Sequence, residues 1–333
     1  MKKAHELCLG DVIPQGSDAV LLRFQPDAAL TGDFRFEPGQ YLTLSAGPAG
    51  ARQWRCYSLT SAQGAPLDVL VRRVRGGLVS NWLCDNARPG DSLTVLPPAG
   101  HFTLRREGEP VLLFAGGSGI APIFSLARQA LEKGAPRVAI FYANRSRASA
   151  MLVRELHELQ TRHGERLEVQ FWHDDEDGLP SAPHLAAFAT ARADRDVYLC
   201  GPEPFMRSVD EGLAQAGFDA SRIYREEFDS APDEPARDAD GERVTQLTVQ
   251  FGGHTTTLPV HGNESLLTAM LNAGLAVPYA CKAGECASCM CRLVSGEIER
   301  LNNAVLDEDD VADGWLVTCR TRALGDAVAV RFP

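Results

Sequence analysis

The sequence contains no apolar segment long enough to cross a bilayer, since a transmembrane helix needs about 18 or more consecutive apolar residues. The first residues, Met1 to Glu6, also lack the apolar core of a secretory signal peptide. These two absences predict a cytoplasmic protein that does not insert into a membrane.

Positive charge is scarce as well. The sequence has 33 Lys and Arg residues against 44 Asp and Glu residues, so its formal net charge is -11 at pH 7. Affinity for nucleic acid comes largely from Lys and Arg side chains that neutralise phosphates, so nucleic-acid binding is not expected. A protein partner with a basic surface suits this charge better.

A chain of 333 residues is too long to form a single hydrophobic core of ordinary size. The patterns along the chain predict three domains. Residues 1–105 contain short strand-like runs separated by Gly and Pro turns, which predict an antiparallel β-barrel. Residues 106–228 alternate apolar strands with helices, which predicts an α/β domain with a parallel sheet of the nucleotide-binding type. Residues 229–243 carry six acids and two prolines and predict a linker to residues 244–333.

Local patterns predict the main elements of each domain. Barrel strands are expected at residues 20–24, 41–44, 67–71 and 92–96. Parallel strands are expected at residues 111–115, 138–142, 167–171 and 197–200, with helices over 120–133 and 151–163. In the third domain, strands at 246–251 and 255–260 and a helix from about 264 to 273 precede a cysteine-rich segment.

Four of the nine cysteines are candidate ligands of an iron-sulfur cluster. Cys281, Cys286 and Cys289 have the spacing C-x4-C-x2-C, and Cys319 follows after 29 residues, as in plant-type 2Fe-2S ferredoxins. Small residues between these cysteines let the backbone turn tightly around a cluster. A structural zinc site is the alternative, although zinc ribbons usually have two C-x2-C pairs and this sequence has one.

The other cysteines are not expected to form disulfides, because the cytosol keeps thiols reduced. Four of them are interpreted as ordinary small apolar side chains: Cys8, Cys56, Cys84 and Cys291. Cys200 is different, since Cys200-Gly201-Pro202 ends a predicted parallel strand, where open sheets bind ligands. Its thiol is therefore expected to contact a nicotinamide ring.

A glycine-rich turn follows the first predicted parallel strand. Gly116, Gly117 and Gly119 lead into a helix, with Pro122 in its first turn. Glycines let the backbone approach a pyrophosphate, and a helix N-terminus supplies free N–H groups. Pro122 stands where the dinucleotide fingerprint has a third glycine, and a tight structural turn is the alternative.

The segment after the next strand bears on the choice between NADH and NADPH. Asn144 to Arg147 contains no acid that could receive the adenosine ribose. Arg145 and Ser146, together with Arg147, are candidates to bind a 2′-phosphate, which favours NADPH. A solvated loop is the alternative.

Two segments of the first domain suit a flavin. Arg55, Tyr57 and Ser58 place a cation, a phenol and a hydroxyl on one strand, suited to a phosphate, a flat ring and a ring nitrogen. The pair Gly76-Gly77 precedes Ser80, which is expected to be a helix N-cap, so this turn is a second candidate phosphate site.

Taken in order, these motifs resemble those of the ferredoxin-NADP reductase superfamily over nearly the whole chain. The family motifs R-x-Y-S, G-x-x-S, G-G-x-G-x-x-P and C-G-P match at Arg55–Ser58, Gly77–Ser80, Gly116–Pro122 and Cys200–Pro202. The domain order is similar to that of reductases with a C-terminal ferredoxin, including the reductase subunits of phenylacetyl-CoA epoxidase and 3-ketosteroid hydroxylases and hybrid-cluster-protein reductase.

The resemblance implies an FAD-binding barrel, an NAD(P)-binding α/β domain and a β-grasp ferredoxin domain. FMN is the alternative flavin, but the Gly76 to Ser80 turn favours FAD, which needs a pyrophosphate site. Tyr57 would lie against the isoalloxazine, Arg55 on the phosphates and Phe228 beside the flavin. Ser58 and Cys200 would then orient NADPH or NADH over the flavin.

The function implied by the resemblance is an NAD(P)H-dependent reductase. It would pass electrons through FAD and the 2Fe-2S cluster to a separate terminal oxygenase of the Rieske or di-iron type. A different acceptor, such as a hybrid-cluster protein or a desaturase, and a redox-sensing module are the alternatives. Asp307 to Asp310, with Asp313, could dock a basic partner or form a solvated surface turn.

Overall fold

The computed structural model describes residues 4–50, 52–228, 244–275, 277–284, 286–301 and 305–332. Three main sheets form three consecutive domains along the chain, the multidomain architecture predicted from the sequence. The predicted linker, residues 229–243, lies outside the described residues, and the exact domain boundaries stay predictions. Within the described ranges, no helix is long and apolar enough to cross a membrane.

The first domain is an antiparallel barrel. Its elements are β1 (His5–Gln15), β2 (Ala19–Gln25), β3 (Tyr41–Ala46), β4 (Gln53–Ser58), β5 (Leu67–Arg72), α1 (Leu78–Asn86) and β6 (Ser92–Ala99). The strand order is β4-β3-β6-β1-β2-β5, and a bridge between Leu59 and Val69 joins the two edges of the sheet. The interior is filled by fully buried side chains such as Leu22, Phe24 and Leu42.

Two features of the barrel differ from the sequence-based expectations. Strand β1 was not predicted, because its alternation breaks at a register shift between Leu9 and Asp11. The prediction that Ser80 is a helix N-cap is wrong, since α1 begins at Leu78 and Gly77 is its N-cap. Ser80 lies in the first turn instead, where its Oγ accepts the N–H of Val74 at 3.2 Å.

The second domain is a five-stranded parallel sheet between two layers of helices. Its strands are β7 (Val111–Gly116), β8 (Val138–Asn144), β9 (Leu167–His173), β10 (Asp196–Cys200) and β11 (Ile223–Glu226). Its helices are α2 (Ile120–Glu132), α3 (Val153–His163), α4 (Asp174–Asp177), α5 (Ala182–Thr190) and α6 (Glu203–Gln215). The order β11-β10-β7-β8-β9 is parallel throughout. Leu113 packs with α2 and α3 on one face, and Leu112 packs with α5 and α6 on the other.

A buried carboxylate holds the amino edge of this sheet. Asp196 at the start of β10 accepts two hydrogen bonds from Arg106, both 2.8 Å, and one from Arg222 at 2.9 Å. Its side chain is only 3% exposed. Burial alone would raise the pKa of Asp196, but the hydrogen bonds from the two arginines hold this pKa below its usual value.

The third domain is a mixed sheet crossed by a helix, the predicted β-grasp arrangement. Its elements are β12 (Val244–Phe251), β13 (His254–His261), α7 (Leu266–Asn272), β14 (Met290–Ser295), β15 (Ile298–Arg300), α8 (Glu308–Ala312), β16 (Trp315–Val317), β17 (Thr321–Ala323) and β18 (Ala327–Arg331). In the order β13-β12-β18-β14-β16 the β12–β18 pair is parallel and the other pairs are antiparallel. Strands β15 and β17 form a separate pair.

The acidic segment considered as a docking patch takes part in local structure. Asp307 is the N-cap of α8 and accepts the N–H of Asp310 at 2.8 Å. Asp310 is only 9% exposed, and Asp313 lies 3.6 Å from Arg292. Docking of a basic partner here stays a prediction, and Asp307, Glu308, Asp309 and Asp313 are all exposed.

Candidate functional site

A cavity of about 840 Å³ lies between the barrel and the parallel sheet, and we call it the barrel–sheet cavity. Strand β4 and the turn before α1 line one side, and the turns after β7 and β10 line the other. Ten of its lining residues are site residues predicted from the sequence: Arg55, Tyr57, Ser58, Gly77, Ser80, Gly116, Arg145, Gly201, Pro202 and Phe228. The structure therefore brings the flavin motif and the nicotinamide motifs together in one cavity.

The barrel side of this cavity is cationic. Arg55, Arg72, Arg73 and Arg75 all line it, as does the first turn of α1 from Gly77 to Ser80. A turn at Gly76, with φ of +72°, leads the chain into the helix. Guanidinium groups and free N–H groups at a helix N-terminus bind phosphates well, so these residues fit the pyrophosphate of FAD.

Aromatic and hydroxyl groups complete the flavin side. Tyr57 is largely buried against the barrel core, and burial raises the pKa of its phenol, which stays neutral. Ser58 is 5% exposed, and its Oγ donates a hydrogen bond of 3.5 Å to Oε2 of Glu226 at the end of β11. Phe228 follows this strand and also lines the cavity. A flat, partly polar ring suits this lining.

The glycines of the nicotinamide motifs are needed by the packing of two turns. A Cβ on Gly119 would lie 2.1 Å from the carbonyl oxygen of Cys200, and one on Gly116 would lie 2.8 Å from the Phe205 ring. Gly117 differs, because its φ of +54° favours glycine and it lies beside Arg72. Pro122 is the third residue of α2, as expected. The structure shows that the turns after β7 and β10 pack closely against each other. Contact of these glycines with a pyrophosphate stays a prediction.

Cys200 lies deeper than the sequence suggested. Its side chain is fully buried and lines none of the cavities described here. Burial raises the pKa of the Cys200 thiol well above its usual value, and the nearby Glu226 carboxylate raises it further. The group is therefore a neutral thiol, and contact with a nicotinamide requires neighbouring groups to move.

A smaller cavity of about 250 Å³, the strand-edge cavity, lies at the carboxyl ends of β7, β8 and β9. Gly117, Arg145, Asp174 and Ser149 are among its lining residues. Oδ1 of Asp174 is buried and has no hydrogen-bond partner among the described residues. Burial raises the pKa of this carboxyl group.

The two arginines expected to bind a 2′-phosphate are both engaged by carboxylates. Arg145 Nη2 lies 3.1 Å from Oδ2 of Asp18, and Arg147 forms two hydrogen bonds with Glu176, of 2.7 and 2.8 Å. Ser146 caps the short turn that follows, where its Oγ accepts the N–H of Ser149 at 3.3 Å.

The four predicted cluster ligands meet in the ferredoxin domain. The side chain of Cys281 is a close neighbour of that of Cys286, and the side chain of Cys289 is a close neighbour of that of Cys319. Backbone N–H groups point at the sulfurs: that of Ala283 to Cys281 at 3.4 Å, and that of Cys281 to Cys286 at 3.5 Å. The thiols therefore form two pairs surrounded by amide donors.

This arrangement fits a binuclear cluster. In the described part of the chain, no group of three or more His, Cys, Asp or Glu side chains has the geometry of a site for one metal ion. A 2Fe-2S cluster has two irons, each of which takes two cysteines, so two thiol pairs are the required donor set. Lys282 and Ala287 have positive φ values of 52° and 61°, which let the loop curl around the site.

A third cavity, of about 790 Å³, joins the flavin motif to the cysteine loop, and we call it the barrel–ferredoxin cavity. Its lining includes Arg55, Cys56, Tyr279 and Cys281. The Arg55 guanidinium lies 5.5 Å from the centre of the Tyr279 ring, within the range of a cation–π contact. The cysteine loop therefore lies directly against the flavin strand β4.

Sequence reasoning missed three of these lining residues. Arg72 lies between the barrel–sheet and strand-edge cavities, and the basic run before Gly76 is the signal that could have identified it. Asp174 begins an acidic run directly after β9, at the sheet edge where ligands bind. Tyr279 had no signal beyond its place two residues before Cys281.

Comparison with known proteins identifies each domain. Family models match the oxidoreductase FAD-binding domain at residues 12–104, the oxidoreductase NAD-binding domain at residues 113–211 and the 2Fe-2S iron-sulfur cluster binding domain at residues 249–324. The cofactors are therefore FAD, a nicotinamide dinucleotide and a 2Fe-2S cluster, as predicted.

Whole-length relatives have the same domain order. The chain is 35% identical over 338 residues to the ferredoxin reductase component of 3-ketosteroid-9-alpha-monooxygenase from Rhodococcus rhodochrous, covering 98% of this chain and 96% of that protein. It is 29% identical over 353 residues to one of the subunits of 1,2-phenylacetyl-CoA epoxidase from Escherichia coli, covering 100% and 98%. The solved structure of phthalate dioxygenase reductase matches with a TM-score of 0.62 and 25% identity, over 99% of this chain and 98% of that one.

The three domains and their cofactor sites define an iron-sulfur flavoprotein oxidoreductase that uses a nicotinamide dinucleotide. The chain belongs to the ferredoxin-NADP reductase superfamily, in the family whose members carry a C-terminal plant-type 2Fe-2S domain. The resemblance found in the sequence motifs is thereby confirmed.

Proposed function

We propose that this protein is the NADH-dependent reductase component of an oxygenase system, which delivers electrons to a separate terminal oxygenase. The observation that carries the proposal is that the barrel–sheet and barrel–ferredoxin cavities share Arg55, Cys56 and Ser58 of the flavin strand. The flavin motif thus stands between the nicotinamide motifs and Cys281. The relative named as the ferredoxin reductase component of a monooxygenase supports the same partner class.

The bound groups supply the redox chemistry: FAD accepts the two electrons of a hydride together, and the cluster accepts them one at a time. The chain positions these groups. Arg55, Arg72 and the first turn of α1 would hold the FAD pyrophosphate, and Tyr57 would pack on the ring. The Ser58 hydroxyl, which donates a hydrogen bond to Glu226, would orient the flavin. Cys200, kept neutral by burial, would not act as a nucleophile, and it would contact the nicotinamide only after neighbouring groups move.

The strand-edge cavity supports NADH rather than NADPH as the electron donor. Asp174 offers a buried carboxylate oxygen without a partner among the described residues, and a ribose hydroxyl can donate to it. A 2′-phosphate would bring negative charge against the same oxygen. The two cations predicted to bind a 2′-phosphate, Arg145 and Arg147, are paired with Asp18 and Glu176. Arg72, which also lines this cavity, has its Nε 3.5 Å from the same Asp18.

The cofactor preference can be measured with one variant and a matched control. We expect kcat/KM for NADH to exceed that for NADPH, and Asp174→Asn to reduce the ratio by about tenfold or more, the effect of one hydrogen bond to a charged group. Asp175→Asn removes the same charge from the same short helix outside the cavity and should leave the ratio nearly unchanged. Preference for NADPH in the native protein would contradict this assignment.

The reductase function itself is tested by turnover of the purified holoprotein. With NADH it should reduce ferricyanide and cytochrome c but oxidise no organic substrate, until a terminal oxygenase is added. Oxidation of an organic substrate by this chain alone would overturn the proposal. Faster turnover with a hybrid-cluster protein or a desaturase than with any oxygenase would point to the other acceptor classes.

We place the protein in the cytoplasm. NADH is supplied there, and the reducing conditions keep free thiols available for a cluster. Fractionation of cells that produce the protein from its own gene would test this location, and recovery of the flavin with a membrane or secreted fraction would contradict it.

A further inference from the structure

Cys56, which the sequence pattern left as an ordinary apolar residue, lies at the contact between the flavin strand and the cluster loop. It is the central residue of the Arg55-Cys56-Tyr57 segment on β4, opposite Thr43 on β3. Its Sγ is 3.5 Å from Oγ1 of Thr43. Its side chain also packs against the cluster that contains Cys286, a predicted ligand of the iron-sulfur cluster.

The surroundings of this contact are buried. Cys56 packs with Tyr41, Ala99 and Cys286, which are 7%, 6% and 3% exposed, in a cluster that joins the barrel to the cysteine loop. Cys56 also lines the barrel–sheet cavity on the same strand as Ser58. One side chain therefore touches both the flavin site and a ligand of the iron-sulfur site.

The chemistry of a bound cluster fixes the direction of any hydrogen bond between the Cys56 and Cys286 sulfurs. Cys286 would be a thiolate and could only accept, so the Cys56 S–H would be the donor, while the Cys56 sulfur can accept from the Thr43 hydroxyl. Hydrogen bonds to cluster sulfurs stabilise the reduced form, which carries one more negative charge, and so raise the reduction potential. Ser288, whose Oγ lies 3.2 Å from Cys286 Sγ, would act in the same way from within the ferredoxin domain.

We propose that Cys56 is a positioning residue for electron transfer, whose thiol donates a hydrogen bond to Cys286, raises the reduction potential of the cluster and holds the ligand loop against the flavin strand. The inference deepens the proposed function and rests on it for the route from flavin to cluster. No bond is made or broken at Cys56, because one electron simply passes from the flavin site to the cluster beside it.

The potential of the cluster is the first measurement. Holoprotein with equal iron and FAD content is titrated with dithionite and mediators, and the reduced cluster is followed by EPR. At a fixed solution potential, Cys56→Ala should lower the ratio of reduced to oxidised cluster about fivefold, as expected for the loss of one hydrogen bond from a weak S–H donor. Cys56→Ser, which keeps a donor, should stay close to the native ratio, and Ser288→Ala serves as the positive control.

Cys84→Ala is the matched negative control. Cys84 is another partly buried barrel cysteine, its thiol lies 3.7 Å from the carbonyl oxygen of Val71, and it lines none of the three cavities. If Cys56→Ala fails to retain a full cluster, Cys56→Val fills the same space without a donor and replaces it. An unchanged ratio in the variant without a donor, or the same shift in Cys84→Ala, would overturn the inference.

Stopped-flow kinetics give a second readout. After rapid flavin reduction, electron transfer to the cluster should slow several-fold in Cys56→Ala and recover in Cys56→Ser, because both the driving force and the contact are restored. The mediated titration needs no nicotinamide, so it still tests the role of Cys56 if NADH proves not to reduce the protein. Failure of NADH to reduce the protein would count against the proposed function alone.

Discussion

Replacing Gly119 by alanine should displace Cys200 and slow hydride transfer. Gly119 has φ of -60°, a conformation that alanine adopts freely, so the substitution causes no backbone strain of its own. The added Cβ, however, would lie 2.1 Å from the carbonyl oxygen of Cys200, 2.5 Å from its carbonyl carbon and 2.9 Å from the nitrogen of Gly201. All three are backbone atoms, which cannot rotate away as a side chain could.

The size of the effect follows from these distances. The contact must lengthen from 2.1 Å to at least 3.0 Å, so the start of α2 and the end of β10 must separate by roughly 1 Å. Overpacking of this kind costs about 1–3 kcal/mol of unfolding free energy. A displacement of about 1 Å at a reacting centre can cost ~100-fold in rate. We therefore expect Gly119→Ala to lose about 2 kcal/mol of stability and to reduce flavin reduction by NADH about 10- to 100-fold.

The assay combines urea unfolding with stopped-flow reduction of the flavin at saturating NADH. Gly32→Ala is the matched control, because a Cβ there meets no atom within 4 Å, and we expect it to change neither stability nor rate appreciably. Native stability together with a native reduction rate in Gly119→Ala would refute the reasoning. Such a result would mean that the two turns separate more freely than their contact implies.

Three further outcomes are expected. Asp196→Asn should lose about 2 kcal/mol of stability near pH 7, because the buried carboxylate that accepts hydrogen bonds from Arg106 and Arg222 becomes a neutral amide. Since the folded pKa of Asp196 lies below its usual 3.8, the difference in Tm should shrink as the pH falls below that value, and a difference independent of pH would contradict the prediction. Tyr279→Leu, which removes the ring beside Arg55, should slow electron transfer to the cluster about two- to fivefold by stopped flow, and no change would mean that the stacking does not hold the loop. Cys319→Ala should lose the EPR signal of the reduced cluster but keep NADH-dependent ferricyanide reduction. Loss of the ferricyanide reduction as well would show that the cluster site supports the flavin site.

Features encoded by adjacent residues were predictable from the sequence. The spacing of Cys281, Cys286 and Cys289 lies within nine residues, and tight loops around a cluster leave little freedom in that spacing. The alternation of strands and helices in the second domain likewise depends on local periodicity, and four of its five observed strands agree closely with those predicted. Strand β11, the fifth, was not predicted. The glycine turn after β7 was also recognisable, although its packing against Cys200 was not.

Features that depend on distant residues were not predictable. The ion pair of Arg145 with Asp18 and the hydrogen bond of Ser58 with Glu226 join residues 127 and 168 positions apart. The sequence does not show which distant carboxylate pairs with a given cation. Arg145 and Arg147 therefore favoured NADPH when only the sequence was considered. Cys56 had no distinguishing pattern, because its neighbour Cys286 belongs to another domain.

The electron route from nicotinamide to cluster is tested most directly by anaerobic freeze-quench EPR after mixing the holoprotein with NADH. We predict that the flavin absorbance falls first, that the signal of a reduced 2Fe-2S cluster then appears within one turnover, and that Cys319→Ala shows the first event without the second. Bleaching of the flavin in the native protein while its cluster stays oxidised through many turnover times would contradict the route.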